Sequence, residues 1–145
     1  MGRGPQSDAV LRALDDARRS GRWVGVDAGL VDLVVPFRKS FGAPMRVEVW
    51  ADEPPSDDGW DHVVDVDLDV RDGLLVFEPS GGFTPTRCEG RVSSGCYRAR
   101  VSGRGYSAAA QGAEGMDSYR IRLWPRVRTA SPVLRGSWPG WASVP

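Results

Sequence analysis

Residues 58–73 read DGWDHVVDVDLDVRDG. From His62 to Val70, the apolar Val64, Val66, Leu68 and Val70 alternate with Asp65, Asp67 and Asp69. Successive side chains of a strand point to opposite faces, so this spacing predicts a strand with one apolar and one acidic face. The D-x-D-x-D spelling also opens many calcium loops. A loop starting at Asp65 would need glycine at its sixth position and glutamate at its twelfth, and Val70 and Val76 stand there. The β-branched residues between the aspartates favour extended chain. The stretch therefore reads as a strand, and no metal or other cofactor is expected.

The same period of two recurs outward from this strand, at Trp23–Val26, Leu30–Val35, Met45–Ala51, Leu74–Phe77, Gly95–Ser102 and Ser118–Trp124. Val47 and Val49 oppose Arg46, Glu48 and Trp50; Tyr97, Ala99 and Val101 oppose Arg98 and Arg100; Tyr119, Ile121 and Leu123 oppose Arg120 and Arg122. The apolar sets predict one shared core. Three aligned carboxylates repel one another, so Arg98 and Arg100, or Arg120 and Arg122, are expected across the ladder from them. The turn signal Asp72-Gly73 predicts that Leu74–Phe77 returns as a hairpin.

Short strands separated by Pro- and Gly-rich turns predict an all-β chain, an antiparallel β-sandwich or flattened barrel. Strand–helix alternation of the parallel α/β kind is absent. Residues 7–20 predict one N-terminal helix, capped by Ser7 or Asp8, with Val10, Leu11, Leu14 and Ala17 as its apolar stripe and Gly21 as its stop. Beyond Pro125 the chain carries Pro132, Pro139, Pro145, Trp138 and Trp141, which predicts an extended tail rather than a central strand. The organisation expected is a helical extension over 1–21, a sandwich over 22–125 and a Pro/Trp-rich tail over 126–145.

The formal net charge is zero, which argues against general polyanion binding and hence against direct nucleic-acid binding. Lys39 is the only lysine among 19 basic residues, a pattern of high-GC codon usage. No apolar run approaches the ~20 residues that span a bilayer, and MGRGPQSDAV is no secretory leader, so a cytoplasmic setting without membrane contact is expected. His62 is the only histidine, and any histidine-based catalysis would have to use it. Nothing near Cys88 or Cys96 marks a nucleophile, and two cysteines are too few for zinc. Residues 102–117 (SGRGYSAAAQGAEGMD) read as a mobile loop whose G-x-G lacks a following helix start, a poor phosphate cradle. No catalytic activity is expected.

The acidic strand, the Asp72-Gly73 turn, the Gly-Cys-Tyr-Arg-Ala-Arg-Val strand and the final Asp-Ser-Tyr-Arg-Ile strand together resemble an all-β family of actinobacterial proteins. More loosely, they resemble the competence protein J-type nuclease inhibitors. The resemblance spans about residues 45 to 124 and implies a small β protein that inhibits a partner nuclease; it assigns a role to no single residue. The function expected is a non-catalytic protein-binding module, most sharply an inhibitor or immunity-like protein. Its acidic strand face, densest from Asp57 and Asp58 onward, would meet a nuclease or toxin as a nucleic-acid mimic. The candidate contact residues are Asp61, Asp65, Asp67, Asp69, Trp50, Trp60, Arg120 and Arg122, because aromatics and arginines anchor protein interfaces. The alternatives are a carbohydrate-binding sandwich using exposed tryptophans, and a self-assembling structural subunit.

Overall fold

The computed structural model describes residues 5–27, 30–33, 45–56, 58–77, 88–110 and 117–140. In chain order the elements are α1 (Pro5–Ser20), β1 (Val24–Asp27), β2 (Leu30–Leu33), β3 (Met45–Val49), β4 (His62–Val70), β5 (Leu74–Phe77), β6 (Cys88–Arg91), β7 (Gly95–Arg104), α2 (Tyr106–Ala110), β8 (Ser118–Pro125) and β9 (Val133–Gly136). Strand makes up 49% of the structure, so the strand-rich class holds. The expected end of the second strand at Val34-Val35, Asp57 and Trp141 lie outside the described residues.

One five-stranded sheet runs in the order β3-β8-β7-β4-β9, and two-stranded ribbons β1-β2 and β5-β6 accompany it. The pairings β4/β7, β7/β8 and β4/β9 are antiparallel, whereas β3/β8 is parallel. The expectation of a wholly antiparallel sheet is corrected there. A parallel pair needs a long crossover, and the whole stretch from β4 to β7 supplies it. The hairpin expected between β4 and β5 does not form either: β5 pairs with β6, because both edges of β4 are taken by β7 and β9.

The core lies on the apolar face of the sheet. Val64, Val66 and Val70 of β4, Tyr97, Ala99 and Val101 of β7 and Leu123 of β8 are buried together with Val24 of β1 and Leu75 of β5. Each ribbon thus contributes a buried residue to the sheet's core cluster.

α1 begins at Pro5, so Ser7 and Asp8 sit inside its first turn rather than before it. It docks through Ala13 and Ala17, both fully buried, while Leu11 of the expected stripe is exposed. Gly25 explains the choice. A Cβ there would stand 1.6 Å from the Ala13 carbonyl oxygen, so helix and ribbon backbones touch. Large side chains on that helix face would hold them apart. Gly21, at φ 72°, reverses the chain, and Trp23 N–H closes on the Ala17 carbonyl at 3.0 Å.

The described part of the tail, 126–140, packs along the sheet. Arg126 N–H donates to the Cys96 carbonyl, and β9 adds to β4 as an edge strand, flanked rather than interrupted by prolines.

Candidate functional site

The polar face of the sheet carries most of the predicted residues. Of the two expected arginine pairs the register takes the first, with Asp65 opposite Arg100 and Asp67 opposite Arg98. Arg100 donates from Nε and Nη2 to the two Asp65 oxygens at 2.8 and 3.1 Å. Arg135 of β9 also donates to Asp65. Arg98 donates to Asp67 at 2.8 Å and to the carbonyls of Ala130 and Ser131. Arg126 pairs with Asp67 and, at 2.6 Å, with Asp69.

The face expected to be wet is covered. The segment from Glu53 to Pro55 lies over Arg100, whose Nη1 donates to the Pro54 and Pro55 carbonyls. The tail lies over Asp67, which accepts from Ala130 N–H at 3.0 Å. Asp65 is 2% exposed and Arg100 1%. Asp65 and Asp67 are therefore internal counter-charges, and the picture of an open acidic face is corrected for both. Asp69 stays at the surface, where the Arg126 guanidinium holds its carboxyl below the usual range.

Asp61 also has a structural post. Its Oδ2 accepts from Tyr106 N–H at 3.0 Å, at the start of α2, while its own N–H donates to the Gly103 carbonyl. That five-residue helix replaces part of the loop expected over 102–117. Its Tyr106 is buried over Gly103, where a Cβ would meet the hydroxyl at 2.1 Å.

Four other predicted residues come together. Arg120 lies over the Trp60 ring at 4.4 Å and Arg104 over the same ring at 4.6 Å; Arg122 lies over Trp50 at 5.5 Å. Arg120 and Arg122 are two residues apart on β8 and share its polar face. Trp50, Arg122, Arg120, Trp60 and Arg104 thus form one continuous row. Trp50 is 36% exposed and donates from its indole to Glu48 at 2.9 Å. Burial pushes the Arg122 guanidinium below its ordinary value, and Glu48 works in the opposite direction. The row adjoins β3, an edge strand among the described residues, where Met45 is 43% and Val49 55% exposed.

His62 stands at the start of β4, buried, with both ring nitrogens held by backbone. Nε2 meets the Arg22 carbonyl, and Nδ1 accepts from Trp138 N–H at 3.4 Å. This selects the neutral tautomer with the proton on Nε2. Burial lowers its pKa, against the raising effect of the Arg22 carbonyl. The ring ties together the turn after α1, the central strand and the tail. Trp138 packs edge-on against Tyr106 at 5.3 Å, and Tyr119 donates to the buried Asp117 at 2.8 Å. Sequence reading missed the tail arginines Arg126 and Arg135. Their only early signal was that an acidic strand needs neighbours.

Among the described residues, no group of three or more His, Cys, Asp or Glu side chains could hold a metal ion. Cys96 is a free, exposed thiol. No described helix is long and apolar enough to cross a membrane. No family model, curated protein or solved structure matches the chain.

Proposed function

We propose that this chain is a non-catalytic protein-binding module whose contact surface is the β3 flank, where Met45, Val49 and Trp50 are exposed. One observation carries the reading: Met45, Val49 and Trp50 are exposed along a strand edge that is unpaired among the described residues, with the buried Arg122 beneath the Trp50 ring. Methionine, aromatic and arginine side chains are the types enriched where proteins bury a contact, and tryptophan and arginine dominate binding energy. An open strand edge adds a row of backbone donors and acceptors that a partner strand can use.

The inhibitor or immunity-like role remains the sharpest form of this reading, with its electrostatics changed. Asp65 and Asp67 hold two arginines each, so mimicry of nucleic acid by these carboxylates is disfavoured. A partner of amphipathic surface fits the exposed Met45, Val49 and Trp50 better. Sugar stacking is disfavoured because guanidinium groups already lie over the Trp50 and Trp60 rings. We place the protein in the cytoplasm, where the exposed Cys96 thiol stays reduced. We read the two ribbons as the second layer of a sandwich, on the strength of their burial against the sheet.

The test is affinity capture from the native host with the wild-type chain, Val49→Asp and Asp69→Asn, read by quantitative mass spectrometry. A protein retained by wild type and Asp69→Asn, and lost with Val49→Asp, is the expected result. Equal retention by all three would remove the β3 flank as the site of a foreign partner.

A further inference from the structure

We propose that the occupant of the β3 edge is a second copy of this chain, paired antiparallel about Val47 so that two five-stranded sheets become one. The inference rests on reading the β3 flank as a protein-binding surface, and it names the partner.

The backbone sets the first constraint. Trp50 N–H donates to the Leu123 carbonyl at 2.7 Å, in the parallel ladder with β8. Residues alternate in such a ladder, so Arg46 and Glu48 also turn their backbone groups inward, and Met45, Val47 and Val49 turn theirs outward. An incoming antiparallel strand uses these outward groups only in registers that set odd-numbered residues opposite odd-numbered ones.

Charge then chooses among those registers. Centred on Val47, the pairing sets Arg46 opposite the partner's Glu48 and Glu48 opposite the partner's Arg46. A shift of two residues one way sets Arg46 against the partner's Arg46. The other shift sets Glu48 against the partner's Glu48. Like charges directly opposite destabilise a ladder, and opposite charges support it. Arg46 already reaches Glu48 of its own strand at 2.7 Å, so the pairing closes a ring of four alternating charges. On the other face, Met45 meets the partner's Val49, and each covers the other's exposed side chain.

Closure follows from symmetry. The other edge, β9, is also open among the described residues and exposes Val133 and Leu134. Pairing β3 on β9 would repeat head to tail and grow a filament, whereas β3 on β3 is two-fold and stops at two. The seam is only five residues long, which predicts a weak, concentration-dependent dimer of the small-interface kind.

The test is sedimentation equilibrium on the full chain over roughly 1 to 500 µM, the regime of small, weak interfaces. The mass should rise from monomer to dimer and stop there. Arg46→Glu and Glu48→Arg, each checked for folding by circular dichroism, should each lose at least about tenfold in self-affinity. An equimolar mixture of the two should dimerise, because each then supplies the opposite charge, and the double variant R46E/E48R should behave as wild type. A monomer at every concentration, growth beyond the dimer, single variants that associate as wild type does, or a mixture that stays monomeric would overturn the proposal. If wild type stays monomeric while Val49→Asp loses a captured protein, self-pairing fails and the surface reading stands. If wild type dimerises and capture is indifferent to Val49→Asp, the reading of a foreign partner on this flank fails and self-pairing stands.

Discussion

Replacing Asp65 with Asn separates an internal counter-charge from a contact residue. The wild-type carboxylate accepts two bonds from Arg100 and one from Arg135. With Arg100 almost fully buried, the substitution leaves a guanidinium in low dielectric, compensated by the Pro54 and Pro55 carbonyls, by Glu53 at 3.4 Å and by the Trp124 ring. Breaking one partner of a buried pair costs about 3–5 kcal/mol. The retained carbonyls, and the one acceptor that Asn keeps, set the expectation at the low end, about 3 kcal/mol. For a chain of this size that lowers Tm by about 10 °C, at roughly 3 °C per kcal/mol. A contact residue on an open face would instead change stability within about 0.5 kcal/mol and alter only binding.

The assay is urea unfolding of wild type, Asp65→Asn, Arg100→Met and the double variant. The two single losses should not add: a coupling of about 2 kcal/mol is expected, as for residues sharing one network. The Asp65→Asn loss should persist in about 1 M salt, where screening reaches within ~3 Å and removes surface effects but not buried ones. A loss below about 0.5 kcal/mol, or strict additivity, would falsify the internal ladder and return Asp65 to the surface.

Three other perturbations test the scaffold. Stability should fall as pH drops below about 6.5, where the unfolded imidazole takes a proton that burial denies the native His62. The neutral ring's contribution is complete above that pH and declines toward the lowered native pKa, with a slope up to ~1.4 kcal/mol per pH unit; His62→Gln should flatten this dependence in urea titrations between about pH 7.5 and 5.5. Gly25→Ala should lose at least ~1–3 kcal/mol by overpacking, since its Cβ would overlap the Ala13 carbonyl, and amide exchange should show α1 opening first. A chain ended after Trp124 loses Arg126, Arg135, β9 and the Trp138 contact with His62, and should melt below Asp65→Asn by differential scanning calorimetry.

The local alternation of β3, β4, β7 and β8 was legible because period two is a property of a few adjacent residues. Charge called for Arg98 and Arg100, or Arg120 and Arg122, across from the aspartates; the register chose the first pair and set Asp65 against Arg100 and Asp67 against Arg98. What joins distant stretches was not legible. The parallel β3/β8 pair depends on a crossover made of four strands. The start of α2 is held by Asp61, 45 residues away. β9 is four residues inside a Pro-rich tail that by composition resembles a linker. The role of His62 was not legible because its partners are backbone groups of Arg22 and Trp138, which carry no sequence signature.

The same distance effect decides the character of the surface. An alternating D-x-D-x-D strand is equally compatible with an open acidic face and with one side of an ion-pair ladder. The difference lies in how many bases reach the face, and from where. β4 offers Asp65, Asp67 and Asp69, while β7 and β8 already offer Arg98, Arg100, Arg120 and Arg122, and the tail adds Arg126 and Arg135. Asp65, Asp67 and Asp69 are met by Arg98, Arg100, Arg126 and Arg135. On β8, Arg122 stands across the ladder from Arg100. Like charges in that position are tolerated only where something else absorbs them. Here the Pro55 carbonyl accepts from Arg122 at 2.8 Å, Glu48 lies near it, and the Trp50 and Trp124 rings lie against Arg122 and Arg100. Aromatic rings bind a guanidinium without neutralising it. The strand that looked most like a binding site thus acts as the counter-charge for arginines that the Glu53–Pro55 segment and the tail cover.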